Sequence, residues 1–215
     1  MGITERKERE KQQRRNDIID AAERIFFSRG FDTATMDEVA AEAELSKGTL
    51  YLYFKSRDDL TFALFMRGSD ILLKMMDKYL ADENDGYSNL LALARAFIQF
   101  SKGYPDYFDL FMHFESNRMN ELNIDQNQIQ AYLKEQSPLA LVGHQVLRGI
   151  EDGSLRDDLS PEVFSATLWS QMLGVLIVLN NKADLYEIFD LQAEEILQTH
   201  LELVSRGGLG SKYKT

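Results

Sequence analysis

Apolar residues recur along this chain with the spacing of α-helices and hardly anywhere with the alternation of strands. Ile18, Ala22, Ile25 and Phe26 stand at i, i+4, i+7 and i+8, an amphipathic stripe. Gly30 follows Ser28-Arg29 and precedes apolar Phe31, which predicts a left-handed glycine stop with its hydrophobic contact. Thr35 and Glu38 stand in the relation of a capping box, so a helix is expected from Met36 through Val39, Ala40 and Ala43. Glu44-Leu45 leaves room for a tight turn only. Ser46 then caps another short helix, with Leu50 and Phe54, four apart, on its buried face. Ser56-Arg57-Asp58-Asp59 predicts a further start, and Leu60, Leu64, Ile71, Met75 and Tyr79 continue it helically.

The polar stretch from Ala81 to Ser88 is the clearest loop and the expected domain boundary. Beyond it, Leu90, Leu91, Leu93, Ala94, Phe97, Ile98 and Phe100 make a helix ended near Gly103. Pro105 suits the first position of the next, which carries Tyr107, Phe108, Phe111, Met112 and Phe114. A long helix is expected over Gln126 to Glu151, bent near Ser137-Pro138 because proline removes a helix bond. Ser160-Pro161 starts another, running through Trp169, Met172, Leu176 and Leu179. A last helix covers Leu191 to Val204, ended by Arg206-Gly207-Gly208 and followed by a mobile tail. The expected fold is therefore all-α, with boundaries at 1–56, 57–80 (a connecting helix) and 81–215.

The run from Ser46 to Lys55 carries the chemistry. A cap, a glycine, small polar side chains, two tyrosines and two lysines share one short helix. A helix built only to fill a core does not need that mixture, whereas one laid in a DNA groove does. With the preceding helix it forms a helix-turn-helix in outline, the second helix being the reader.

Gly30-Phe31, Thr35, Val39-Ala40, Ser46-Lys47-Gly48-Thr49-Leu50-Tyr51, Tyr53-Phe54-Lys55-Ser56 and Leu60 together resemble the TetR family of bacterial transcriptional regulators. One departure is Glu44-Leu45, where that family often has Gly-Val; a glutamate in left-handed conformation there costs about 1 kcal/mol. The resemblance implies an N-terminal three-helix DNA-binding domain, joined by a long helix to a C-terminal helical domain for ligand binding and dimerisation. It implies phosphate contacts at the helix starts Thr35 and Ser46. Gly48 then allows close approach to base edges, which Lys47 and Thr49 read. Tyr51, Tyr53 and Lys55 hold phosphates and so fix register.

The resemblance also implies a homodimer on a palindromic operator, its readers about 34 Å apart or a multiple of it. The last two helices form the dimer bundle, with Gly174, Val175 and Val178 allowing close approach. An inducer pocket is implied among the aromatic and methionine side chains of the middle helices: Phe97, Phe100, Phe108, Phe111, Met112, Tyr132, Trp169 and Met172, with Phe114 and Met119 nearby in sequence. The expected effector is a small, mainly apolar or amphipathic molecule, with His113, Glu115, Arg118, His144, Gln145 and Gln171 as polar groups able to orient it. The implied regulation is repression. The alternative is a DNA-binding regulator controlled by a protein partner, with a filled core and no small-molecule pocket.

Composition tempers this in one respect. With 24 Lys+Arg against 35 Asp+Glu, the chain is acidic, which is unusual for a DNA binder. The distribution matters more: residues 1–60 hold 11 basic and 13 acidic side chains, the remainder 13 and 22. Arg6, Lys7, Arg9, Lys11, Arg14 and Arg15 form a basic arm, which reads either as a DNA-following segment or as a solvated leading turn. No cysteine is present, so disulfides, thiolate nucleophiles and cysteine-bound metals are excluded. The charged N-terminus is unlike a signal peptide. The longest apolar run, Met172 to Leu179, falls short of the roughly 20 residues of a membrane span. No membrane partner, metal or cofactor is expected, and the location is expected to be cytoplasmic. No phosphate loop or His-Glu-x-x-His pair suggests an enzyme.

Overall fold

A computed structural model of the chain describes residues 2–31, 33–116, 123–181, 186 and 188–210. It is all-α, in the order α1 (Ile3–Arg29), α2 (Met36–Glu42), α3 (Lys47–Tyr53), α4 (Arg57–Tyr79), α5 (Gly86–Gly103), α6 (Pro105–Ser116), α7 (Gln126–Ala131), α8 (Pro138–Glu151), α9 (Pro161–Asn181) and α10 (Ala193–Gly208). A π-helical turn, Tyr132–Gln136, lies between α7 and α8.

By packing, the chain divides into two compact units. The first comprises Met1–Ser69 and Asp106–Ile129, the second Asp70–Pro105 and Gln130–Thr215. This division differs from the boundaries expected at 56/57 and 80/81. It runs through α4, and it assigns α6 to the N-terminal helices although α5 precedes it in sequence.

In the first unit Ile18, Ala22, Phe26, Val39, Leu50, Phe54, Leu60 and Leu64 are buried, as the helical stripes require. The aromatics of α6 join them. Phe111 lies 5.2 Å from Phe65 between ring centroids, and Phe114 lies 4.6 Å from Phe65 and 5.9 Å from Phe62. Burying each such ring contributes about 2–3 kcal/mol.

Local signals account for most helix ends, and four ends or stripes differ from expectation. Gly30 stops α1 with φ +90° and ψ 150°, outside the left-handed helical region, in a conformation that is essentially glycine's alone. Phe31 then packs on Phe26 and Phe27 as a stop requires. In α4 the buried line runs Leu60, Leu64, Leu72, Met76, whereas Tyr79 is exposed and Ile71 and Met75 are half-buried. The line steps by four through Gly68, which carries no apolar signal. The expected helix from Gln126 to Glu151 is broken rather than bent: Ser137 is extended, and its hydroxyl caps α8 by accepting from the Ala140 N–H, with Pro138 at the first position. Finally, α10 runs through Gly207 to Gly208.

In the second unit α5 and α8 meet at backbone distance. A Cβ on Gly86 would overlap the backbone N and Cα of Gly149. Asp85 caps α5 by accepting from the Ser88 N–H, and Asp152 accepts from the Gly86 N–H at 2.8 Å, so the loop is shorter than expected. The chain end is strapped down. Leu209 pairs with Leu155, the Gly210 N–H donates to Ser154, and the Arg156 N–H donates to Gly208. Of the tail expected to be mobile after Gly208, Leu209 and Gly210 are thus held in place, contrary to that expectation, and 211–215 lie outside the described residues.

The 21 residues of α9 are long and apolar enough to cross a membrane by length and composition, with mean hydropathy 1.6 over the most apolar window. The run-length reading missed this because polar residues interrupt the helix. Only 39 % of that window is buried, so apolar residues occupy its outer side as well.

Candidate DNA-reading face and effector cavity

The reader is built by two caps and one strained turn. The Thr35 hydroxyl accepts from the Glu38 N–H while the Glu38 carboxylate accepts from the Thr35 N–H at 2.9 Å, closing the capping box of α2. The Glu38 carboxyl is held below its ordinary range by these Thr35 bonds. The turn closes through the Leu45 N–H, which donates to Ala40 at 2.8 Å, and Glu44 sits at φ +54°. The Ser46 hydroxyl caps α3 by accepting from the Thr49 N–H, and it shares a 2.8 Å bond with the Thr49 hydroxyl. Leu50 and Phe54 anchor α3 in the core, and the Arg15 guanidinium stands 4.8 Å over the Phe54 ring. The basic arm before Arg15 is a helical, exposed extension of α1 with internal pairs such as Arg6 and Glu10.

The residues expected to meet DNA stand at the start of α2 and along and just beyond α3. Thr35, Ser46, Lys47, Gly48, Tyr51 and Lys55 are exposed, and Thr49 and Tyr53 are half-buried. Two details were not foreseen. The hydroxyls of Thr35 and Ser46 are engaged by their own caps, so a phosphate there meets backbone N–H groups and the rim of those caps. Lys47 is paired with Asp37 at 2.7 Å, which raises the pKa of its ammonium group. A base must compete with that carboxylate, though an exposed pair of this kind is weak.

Gly48 is the most telling position. It lies inside α3, where glycine costs up to about 1 kcal/mol relative to alanine. Nothing among the described residues demands it: an added Cβ would meet only the Ser46 Oγ, at an ordinary 3.9 Å.

The second unit holds an apolar cavity of about 90 Å³. Leu90, Leu91, Phe97, Leu168, Trp169 and Met172 supply much of its wall, and Phe97 stacks on Trp169 at 5.2 Å. Of the residues expected around a ligand, Phe97, Trp169 and Met172 line it. Phe100 and Tyr132 are buried without lining it. Phe108, Phe111, Met112 and Phe114 belong to the other unit, where Phe108, Phe111 and Phe114 are buried in the core. Arg118 and Met119 lie outside the described residues.

The polar groups facing the cavity are Tyr87, His200 and Ser205, not His113, Glu115, His144, Gln145 or Gln171. Burial lowers the His200 pKa. The spacing of His200 with Leu201 and Val204 on one helix carried a signal for this wall. Its meaning depended on the strap formed by Leu155 and Leu209, which brings the end of α10 over the cavity.

The outer side of α9 carries Val163, Thr167, Gln171, Gly174 and Val178, spaced by four or three along one face. Val163 is 62 % and Val178 43 % exposed, and Leu203 of α10 adds to the same apolar groove. Gly174, like Gly48, has open space where a Cβ would stand.

Comparison with known proteins agrees with this geometry. Residues 18–64 match the profile of the tetR family of bacterial regulatory proteins. The chain is similar to the HTH-type transcriptional activator FasR of Mycolicibacterium smegmatis, 35 % identical over 101 residues, covering 45 % of this chain and 46 % of that protein. It is also similar to the fatty acid metabolism regulator protein of Bacillus subtilis, 31 % identical over 61 residues, covering 28 % of this chain and 31 % of that protein. The chain thus spans less than half the length of these two curated relatives. Among solved structures, the fatty acid degradation regulator FadR from Bacillus halodurans shares the fold with a TM-score of 0.63 at 16 % identity, over 88 % of this chain and 93 % of that one. A TetR family transcriptional regulator from Chloroflexus aurantiacus does so with a TM-score of 0.62 at 20 % identity, over 92 % and 94 %. The helix-turn-helix at Thr35–Phe54 lies inside the matched segment: residues 18–64 are those of the tetR family of bacterial regulatory proteins, and the all-α fold around them is one that solved TetR-family regulators share.

Proposed function

We propose that this regulator is a ligand-responsive repressor that binds a palindromic operator as a homodimer and leaves it when a small apolar effector enters the second unit. The observation that carries the DNA-reading half is Gly48, a helix-interior glycine with no internal reason, set among exposed Lys47, Tyr51 and Lys55. Duplex DNA selected by the full chain from a random-sequence pool tests it. Lys55→Ala and Tyr51→Phe should weaken binding to all sequences, and each lost phosphate contact should flatten the slope of log K against log salt by about 1. Unchanged affinity and slope would remove these residues from the interface.

The outer face of α9 supports dimerisation. Its apolar stripe is unpaid for by the chain's own packing, and a two-fold axis through it lets two short readers share one palindrome. A monomer by light scattering at micromolar concentration would defeat this part.

The effector is proposed to be a slender molecule with an apolar chain. The cavity is smaller than the few hundred Å³ common for compact ligands, and its described wall offers few polar anchors, among them Tyr87, His200 and Ser205. The fatty acid regulators among the relatives favour an acyl chain. Such a ligand acts by binding the DNA-incompetent form more tightly; driving the balance from 1:99 to 99:1 takes roughly 5.5 kcal/mol of differential affinity. Mass spectrometry of the natively purified protein identifies retained molecules, and the emission of Trp169 reports their binding. A retained ligand that changes Trp169 emission but not DNA affinity would defeat the switch. Transcription from a template carrying the selected site decides between repression and the activation named for FasR.

A further inference from the structure

We infer that Leu52 reads sequence by packing on the 5-methyl group of a thymine in the major groove. This rests on the assignment of α3 as the DNA-reading helix. Leu52 is 83 % exposed, more than any other large apolar side chain among the described residues. Its place on the helix is informative. At 3.6 residues per turn, Leu52 stands about 200° from buried Leu50, and Gly48 about 160° in the same sense. The two are four apart and together form the middle of the outer face, the part farthest from the core. Gly48, with open space beside it, lets that face come close to whatever it meets. Leu52 is the side chain that arrives one turn later.

Charge selects the partner. Lys47 and Lys55 flank α3 at either end, and Tyr51 and Tyr53 stand on both sides of Leu52. Lysines at both ends of the helix, with Lys47 able to exchange its exposed Asp37 partner for a phosphate, suit a polyanion better than an apolar protein surface. Within the major groove the choice narrows further. Leucine has no donor or acceptor, so it holds no phosphate and bonds no polar base edge. The methyl of thymine is the apolar group that a base edge presents there. Lys47 and Thr49 supply the hydrogen bonds of the interface, while Leu52 supplies discrimination by shape and desolvation.

The experiment separates this from general DNA binding. The duplex preferred by the full chain is resynthesised with uracil in place of each thymine in turn, which removes one methyl and nothing else. One position per half-site should then weaken the wild-type protein by about fourfold, the worth of one buried methyl group. Leu52→Ala should bind the thymine and uracil forms about equally at that position. Because Leu52 lies outside the core, the variant should melt with the wild type, which thermal denaturation checks. Tolerance of uracil at every position by the wild type, or an unchanged uracil penalty in Leu52→Ala, overturns the inference while leaving α3 as the reader. Failure of the full chain to bind any duplex overturns both.

Discussion

Gly48 and Gly86 are the same residue in two helices, and their surroundings are opposite. Gly86 opens α5 in the second unit against the backbone of Gly149, where no side chain fits. Gly48 lies in α3 of the first unit with nothing near its missing Cβ except the Ser46 hydroxyl at 3.9 Å. The first glycine is required by the chain's own packing, whereas no packing among the described residues requires the second. Gly174 on α9 is of the second kind, and Gly68, crowded by the Tyr107 ring, is of the first. The space around a missing Cβ therefore separates glycines that the fold requires from glycines that it does not.

The strongest way to break this distinction is Gly86→Ala. Its Cβ collides with backbone, which cannot move aside as a side chain can, and unfolding by urea should show a loss of about 3 kcal/mol. A near-wild-type midpoint would mean that α5 and α8 can separate freely. Gly48→Ala should do the reverse. The fold should gain about 0.5 kcal/mol from the better helix former. Affinity for the selected duplex should drop about tenfold, or roughly 1.4 kcal/mol. If both stability and affinity rise, Gly48 is not a point of close approach.

Gly68 sharpens the inward case because the ring it admits is part of a polar cluster. The Tyr107 hydroxyl donates to Glu23 at 2.6 Å, and Arg67 joins Glu23 at 2.8 Å and Asp20 at 2.7 Å. Tyr107→Phe should cost about 1 kcal/mol at neutral pH. Burial, and then Glu23, push the phenol above its ordinary value of 10.0, so the folded state favours its neutral form. That contribution is complete below pH 10 and declines as the pH rises beyond it. The stability gap between wild type and Tyr107→Phe should accordingly narrow in alkaline unfolding series.

The smallest expected effect is at Glu44, whose φ of +54° would suit glycine better. Glu44→Gly should raise stability by about 0.5 kcal/mol and leave DNA affinity unchanged. A change in affinity would show that the turn between α2 and α3 also sets the angle of the reader.

Much of the first unit was legible because its signals are local. The Thr35 and Ser46 caps, the glycine stop and the spacing of Leu50 and Phe54 each depend on residues within a turn or two. The apolar cavity of the second unit was only partly legible. Phe97, Trp169 and Met172 stand at it, but Phe108 and Phe111 look no different in a hydrophobic pattern and belong to the other unit. Spacing says that a residue faces inward; it does not say which inside. Glu38 and Asp37 were similarly hidden, since no periodicity announces which acids occupy the surroundings of a reader.

The sequence by itself determined the all-α class and the helix-turn-helix, because caps, turns and helical stripes are set by neighbouring side chains. The tertiary structure decided what distant segments share. It assigned α6 to the N-terminal unit, broke the helix at Ser137, and closed the cavity with a strap between Leu155 and Leu209. It also showed open space beside Gly48 among the described residues and left Leu52 83 % exposed. Those outcomes depend on shape and space between elements far apart along the chain, which local periodicity does not encode.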